Sequence, residues 1–207
     1  MTWQPHWGIS SWGHQIIGPR DIDKLNQTIF FMNQDLEFPK SSNRRVIEVF
    51  ASMGEDGHAE NIKAAREMQR IADANNTLLH ACGFNPFYLD PVRKIPSPHL
   101  TSCDIVEQEF ATRRIERGTE HAAALAKFNE GVLMGPSYGR HSYFGENEQG
   151  LYDGERDLLV EITKNRIGPF AAARGVRVAY EPLNRFETYL LMPGEDAIRF
   201  IREVNHP

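Results

Sequence analysis

The sequence predicts an α/β fold whose parallel sheet is built from strand–helix units in series. Two observations carry this. Apolar runs short enough for strands alternate with longer stretches patterned at helical spacing, which is the mark of βα units rather than of a sandwich. At 207 residues the chain can bury one substantial core, and nothing forces a second domain, so residues 1–207 read as a single domain.

Each element has its own warrant. His6 to Trp12 is the weakest strand candidate, and a helix over Asp21 to Asn33 follows it with Ile22, Leu25 and Ile29 on one stripe. Arg45 to Phe50 is rich in β-branched residues and reads as the second strand. From Glu60 to Asn75, Ile62, Ala65, Met68, Ile71 and Ala72 recur at helical spacing. Thr77 to Cys82 is the third strand, closed by Gly83, and Pro86, Pro91, Pro96 and Pro98 keep the loop from Phe84 to Pro98 out of regular structure. A long helix is expected from Cys103 to Phe128, with Thr101 and Ser102 as candidate caps. Gly131 to Gly135 is the fourth strand. Tyr152 to Arg174 is the fourth helix, interrupted near Gly168-Pro169, where proline removes a donor and crowds the preceding turn. Val176 to Glu181 is the fifth strand and Gly194 to Val204 the fifth helix. Five βα units result, with the strands at Val46, Leu78, Val132 and Val176 expected to lie adjacent and parallel through right-handed crossovers.

Composition narrows the function classes. Apolar residues at 41% and charged residues at 25% are ordinary for a soluble globular chain. A net charge of −5 with a pI near 5.9 offers no electrostatic footprint for nucleic acid. Cys82 and Cys103 make neither a disulfide framework nor a zinc knuckle, so the expected compartment is the reducing cytoplasm. The start, Met1-Thr2-Trp3-Gln4-Pro5-His6, lacks the basic and apolar regions of a signal peptide, and no apolar run approaches the roughly 18 residues of a membrane span.

Chemistry concentrates after the fifth strand. Tyr180-Glu181-Pro182-Leu183-Asn184-Arg185-Phe186-Glu187 places two carboxylates, an amide and a guanidinium directly behind an apolar run that leaves a helix through Arg174-Gly175. In parallel α/β folds the C-terminal ends of strands are where active sites collect. Carboxylates there could equally form an ion pair with a neighbouring cation. Arg185 reads more readily as a residue that holds the strand-to-helix loop.

That stretch, continued through Thr188 to Leu191 and the helix ending Glu203-Val204-Asn205-His206-Pro207, resembles the isomerase and epimerase branch of the xylose-isomerase-like TIM barrels. The D-tagatose and D-psicose 3-epimerases and the hydroxypyruvate-isomerase-like enzymes are the nearest in pattern. The resemblance implies a (β/α)₈ barrel and a metal-dependent proton transfer through a cis-enediolate on a ketose or hydroxy-keto substrate. It assigns Glu181 as metal ligand and acid/base and Glu187 as a group on the substrate's oxygens. Oxygen ligation suits Mn²⁺ first, with Mg²⁺ or Co²⁺ as alternatives. The remaining metal ligands, and the second acid/base, are expected beyond Pro207. A closed barrel usually takes about 250 residues, so the resemblance reads the chain as a barrel truncated after its fifth unit, by nature, by design or by frameshift. On that reading it lacks activity alone and self-associates through unpaired strand edges.

At the other strand ends the resemblance points to Trp12 and His14, to Ala81 and Gly83, and to Gly135-Pro136-Ser137-Tyr138 as lining of a sugar pocket; packing at a barrel mouth is the alternative for each. Glu48 and His80 lie inside strands and read as satisfied core polar groups. His58 and His141 read as solvated loop histidines. Gly135 to Gly139 lacks the Lys and Ser/Thr of a phosphate-binding loop, and Ser10 and Ser11 have no histidine nearby for a hydrolytic triad. Two other readings stay open. One is an apurinic-endonuclease-like barrel, which needs several zinc ligands and a basic face that this acidic chain lacks. The other is a non-catalytic partial barrel that serves as an interaction module.

Overall fold

The computed structural model describes residues 8–10, 22–34, 45–50, 57–83, 88–89, 96–97, 100–102, 104–125, 130–133, 148–180, 190 and 194–205. In order they form β1 (Gly8–Ser10), α1 (Ile22–Gln34), β2 (Arg45–Phe50), α2 (His58–Ala74), β3 (Thr77–Gly83), β4 (Tyr88–Leu89), β5 (Pro96–Ser97), α3 (Ile105–Leu125), β6 (Glu130–Leu133), α4 (Glu148–Ile162), a π-helical turn (Thr163–Ile167), α5 (Gly168–Ala172), β7 (Arg177–Tyr180) and α6 (Glu195–Val204). All five expected strand–helix alternations are present. The contacts divide the chain into two compact units, residues 1–84 with 117–131 and residues 85–116 with 132–207.

In the first unit β1, β2 and β3 form a parallel sheet in that order. Its register sets Val46 against Leu78 and Ile47 against Leu79, and a bulge between Val49 and Phe50 pairs Phe50 with Gly83. Parallel neighbours cannot be joined by a tight turn, and α1 and α2 supply the crossovers. Of the apolar stripes read from sequence, Leu25, Ile29, Ala65, Met68 and Ala72 are buried, whereas Ile22, Ile62 and Ile71 are half-buried. Leu25, Ile29 and Met32 of α1, Ala65, Met68 and Ala72 of α2, Ile47 and Val49 of β2 and Leu79 of β3 are all buried. Each fully buried Leu, Ile or Met contributes about 2 kcal/mol of transfer free energy. The helix α2 begins at Gly57, whose φ of +72° favours glycine, and hands over to β3 through Asn75-Asn76. Asn76 takes φ +49°, a left-handed setting that asparagine tolerates. The Asn75 side chain donates to the Ile71 carbonyl at 2.8 Å, so a last-turn acceptor is satisfied.

The second unit departs from expectation in three places. The proline-rich loop holds a short antiparallel pair, Tyr88 against Ser97 and Leu89 against Pro96. A two-residue pair asks for few ladder donors, so Pro96 is accommodated at its edge. The cap of α3 is Asp104 rather than Thr101 or Ser102. Its Oδ1 accepts from the Val106 N–H at 2.9 Å, and the Ser102 hydroxyl takes the Asp104 N–H at 3.1 Å. The interruption of the fourth helix comes before Gly168-Pro169 as a full π turn. There the Gly168 N–H reaches back to the Thr163 carbonyl. Pro169 has no N–H for the Asn165 carbonyl, and widening the helix by one residue relieves the clash its ring would make. Among the described residues β6 and β7 pair as a two-stranded sheet of their own, so the expected neighbours at Val46 and Leu78 are paired, while the fourth and fifth strands pair with each other rather than continuing that ladder.

Candidate functional site at the end of the fifth strand

The approach to the candidate site is built as the sequence suggests. After α5 the Gly175 N–H donates to the Ala172 carbonyl and the Val176 N–H to the Ala171 carbonyl, both at 3.0 Å, with Gly175 at φ +66°. This is a Schellman ending, which needs a residue tolerant of the left-handed region and frequently carries a hydrophobic anchor just after it. Val176 is that anchor and is buried. The chain then enters β7.

Tyr180, the last residue of β7, is held at its tip. Its phenol oxygen lies 2.6 Å from the Thr163 hydroxyl at the start of the π turn. Its ring meets Phe200 of α6 edge-on, with centroids 5.0 Å apart and an interplanar angle of 78°, a favourable geometry for aromatic quadrupoles. The residue as a whole is half-buried, yet its hydroxyl end is enclosed, and burial pushes the phenol pKa well up against the weaker opposing effect of the Thr163 bond. Thr163 and Phe200 are themselves buried.

Glu181 and Glu187 follow in the sequence but lie outside the described residues, as do Trp12, His14 and Tyr138. Gly83 is described and ends β3. The partners Val49–Ala81 and Phe50–Gly83 leave Cys82 as the extra residue of the bulge. Bulges concentrate beside active sites because they re-aim the chain. Ser10, Glu48 and His80 occupy a single register row across β1, β2 and β3. Only pairing of three distant segments brings them to one row. Among the described residues no group of three His, Cys, Asp or Glu side chains could hold a metal ion. Among them too, no helix is long and apolar enough to cross a membrane.

Several charged groups sit elsewhere than sequence reading placed them. His58 is the first residue of α2 rather than a solvated loop residue, and its Nε2 lies 2.9 Å from Glu120 of α3. The neighbouring His121 is 1% exposed, and burial, reinforced by repulsion from His58, pulls its pKa down to about 4. Arg156 of α4 is buried and faces two carboxylates of α6, Glu203 at 2.5 Å and Asp196 at 3.7 Å. Its Nε and Nη2 nevertheless find no acceptor at hydrogen-bonding angles, so the contact is an ion pair more than a bonded fork. Arg166, in the π turn, bridges Glu109 and Glu116 of α3. The Arg166 guanidinium, helped by Arg113, holds the Glu109 carboxyl down at about 2.

The sequence profile of the xylose isomerase-like TIM barrels matches residues 40–207. No curated protein matches the chain. Among solved structures it is similar to a protein of Anabaena variabilis described as a sugar phosphate isomerase/epimerase, with TM-score 0.71 and 16% identity over 99% of this chain. It is also similar to D-psicose 3-epimerase of Clostridium cellulolyticum, solved with D-tagatose, with TM-score 0.69 and 18% identity over 98% of the chain. A third likeness is the 3-keto-D-glucoside 4-epimerase YcjR of E. coli, with TM-score 0.61 and 17% identity over 98%. The chain spans about three-fifths of the length of these structures, 62%, 61% and 64% respectively. At such identities the likeness establishes the fold.

Proposed function

The chain belongs to the xylose isomerase-like TIM barrels, and from that premise we propose that it serves a metal-dependent isomerase or epimerase acting on a ketose or related hydroxy-keto compound. The reaction is of the 3-epimerase type, in which a proton leaves and returns at a carbon next to a carbonyl. The observation that carries the proposal is the position of Glu181. It directly follows Tyr180, the last residue of β7, and strand C-termini are where the barrel fold builds its chemistry. The epimerase activities of the solved relatives support the substrate class.

Glu181 is the proton-transfer group that residues 1–207 contribute, and Glu187 is a hydrogen-bonding group toward the substrate's hydroxyls. Oxygen ligation of the kind Glu181 offers suits Mn²⁺ ahead of Mg²⁺ or Co²⁺. Such a cation supplies charge stabilisation for the oxygen that becomes anionic as the proton leaves. Glu181 is the one ligand assigned within residues 1–207, so tight metal binding requires further ligands to join it.

The test is solvent exchange. The 207-residue chain, and a version completed to the length of its structural relatives, are incubated in D₂O with D-psicose or D-tagatose and Mn²⁺, and deuterium at C3 is followed by NMR. Exchange is expected in the completed chain, none in residues 1–207 alone, and none after Glu181→Gln in either. Near-normal exchange in the completed Glu181→Gln protein would refute the acid/base role.

A further inference from the structure

We propose that the hydroxyl pair Thr163–Tyr180 is a positioning device for Glu181, fixing the strand end from which that carboxylate departs. The inference rests on the acid/base reading of Glu181 given above. Its warrant is geometric. A strand of four residues, Arg177–Tyr180, is followed directly in sequence by the candidate catalytic group. The last residue of the strand is held through its side chain. Tyr180 spans from the strand to Thr163 at 2.6 Å and is braced by Phe200 at a centroid distance of 5.0 Å. Both partners are buried, so neither contact is exchanged for water.

The π turn gives the clamp its rigidity. Thr163 accepts the Gly168 N–H at its carbonyl while its hydroxyl engages Tyr180. Three residues on, Arg166 ties the same turn to Glu109 and Glu116 of α3. Thr163 is therefore held from both sides of a helical irregularity, and such π turns recur at functional sites.

The experiment compares Tyr180→Phe, Thr163→Val and Thr163→Ser in the 207-residue chain by hydrogen exchange with peptide resolution. Tyr180→Phe and Thr163→Val are each expected to speed exchange in the peptide covering residues 177–187 about tenfold. Thr163→Ser, which keeps the hydroxyl, should restore protection, and the double variant should exceed neither single one. Unchanged exchange, or an equal rise in every peptide, overturns the clamp. In the completed chain Thr163→Val should lower kcat about tenfold with KM within twofold, and Thr163→Ser should not. An unaltered kcat overturns the positioning role while the acid/base role stands. Full turnover in Glu181→Gln removes both.

Discussion

Acid should weaken the first unit through His121. This imidazole is 1% exposed, and its pKa is drawn from the ordinary 6.5 down to about 4. The unfolded chain therefore takes up the proton as pH falls through 6.5, whereas the folded chain resists until about 4. Stability present above pH 6.5 is lost progressively between those values, and no further loss from this group occurs below them. At about 1.4 kcal/mol per tenfold change in proton affinity, the whole window corresponds to about 3 kcal/mol, of which about 2 kcal/mol falls between pH 7 and pH 5. The Glu109 carboxyl, held at about 2 by Arg166, sheds its contribution only below pH 4.5. It is more than a third exposed, and solvent screening makes that second effect small. Urea unfolding of the wild type and of His121→Leu, followed by circular dichroism at pH 7, 6 and 5, isolates the effect as the difference in slope. The wild type should lose about 2 kcal/mol more than the variant over that range. Should His121→Leu fail to fold, an NMR titration of the imidazole in the wild type reads the same quantity. Parallel pH slopes in the two proteins, or a His121 pKa near 6.5, would refute the reasoning.

Three further outcomes are expected. Arg156→Ala should cost about 3 kcal/mol, because it empties the space of a buried side chain and withdraws the guanidinium beside Glu203 and Asp196, whereas Arg156→Met fills the space and should cost about 1 kcal/mol. Urea midpoints distinguish the two, and equal costs would show that charge is irrelevant there. Asp104→Ala removes the side-chain acceptor of the Val106 N–H and should cost about 1 kcal/mol by the same measurement, with Asp104→Asn or Asp104→Ser within a few tenths. Phe30 at 57% and Phe31 at 66% exposure on α1, with Ile198 at 52% and Ile201 at 57% on α6, should drive self-association of the isolated 207-residue chain. Sedimentation should show oligomers that charged substitutions at Phe30 and Phe31 reduce, and a monodisperse monomer would count against this.

The alternation of strands and helices was legible in the sequence because it is written locally. The run Arg45–Phe50 is a strand and Leu25, Ile29 and Met68 are buried since each periodicity is set by residues within four positions of one another. The Gly175 turn and the placement of polar residues after β7 were legible for the same reason. A candidate site named as Glu181 and Glu187 is a statement of that local kind, made from chain order and pattern. What required the folded chain was every feature whose partners are distant in sequence. The approach of His58 to Glu120, 62 positions away, turned a presumed solvated histidine into half of a part-buried pair, and burial in the fold lowered the neighbouring His121. Arg156 acquired its carboxylates only when α6 came to lie against α4. The bulge at Cys82 exists only as a mismatch between two strands, and the hold on Tyr180 depends on where Thr163 and Phe200 are brought. Periodicity determines which face of an element is apolar, but which charged or hydroxyl groups meet is decided by the offset and rotation of one packed element on another, and those are properties of the assembled fold.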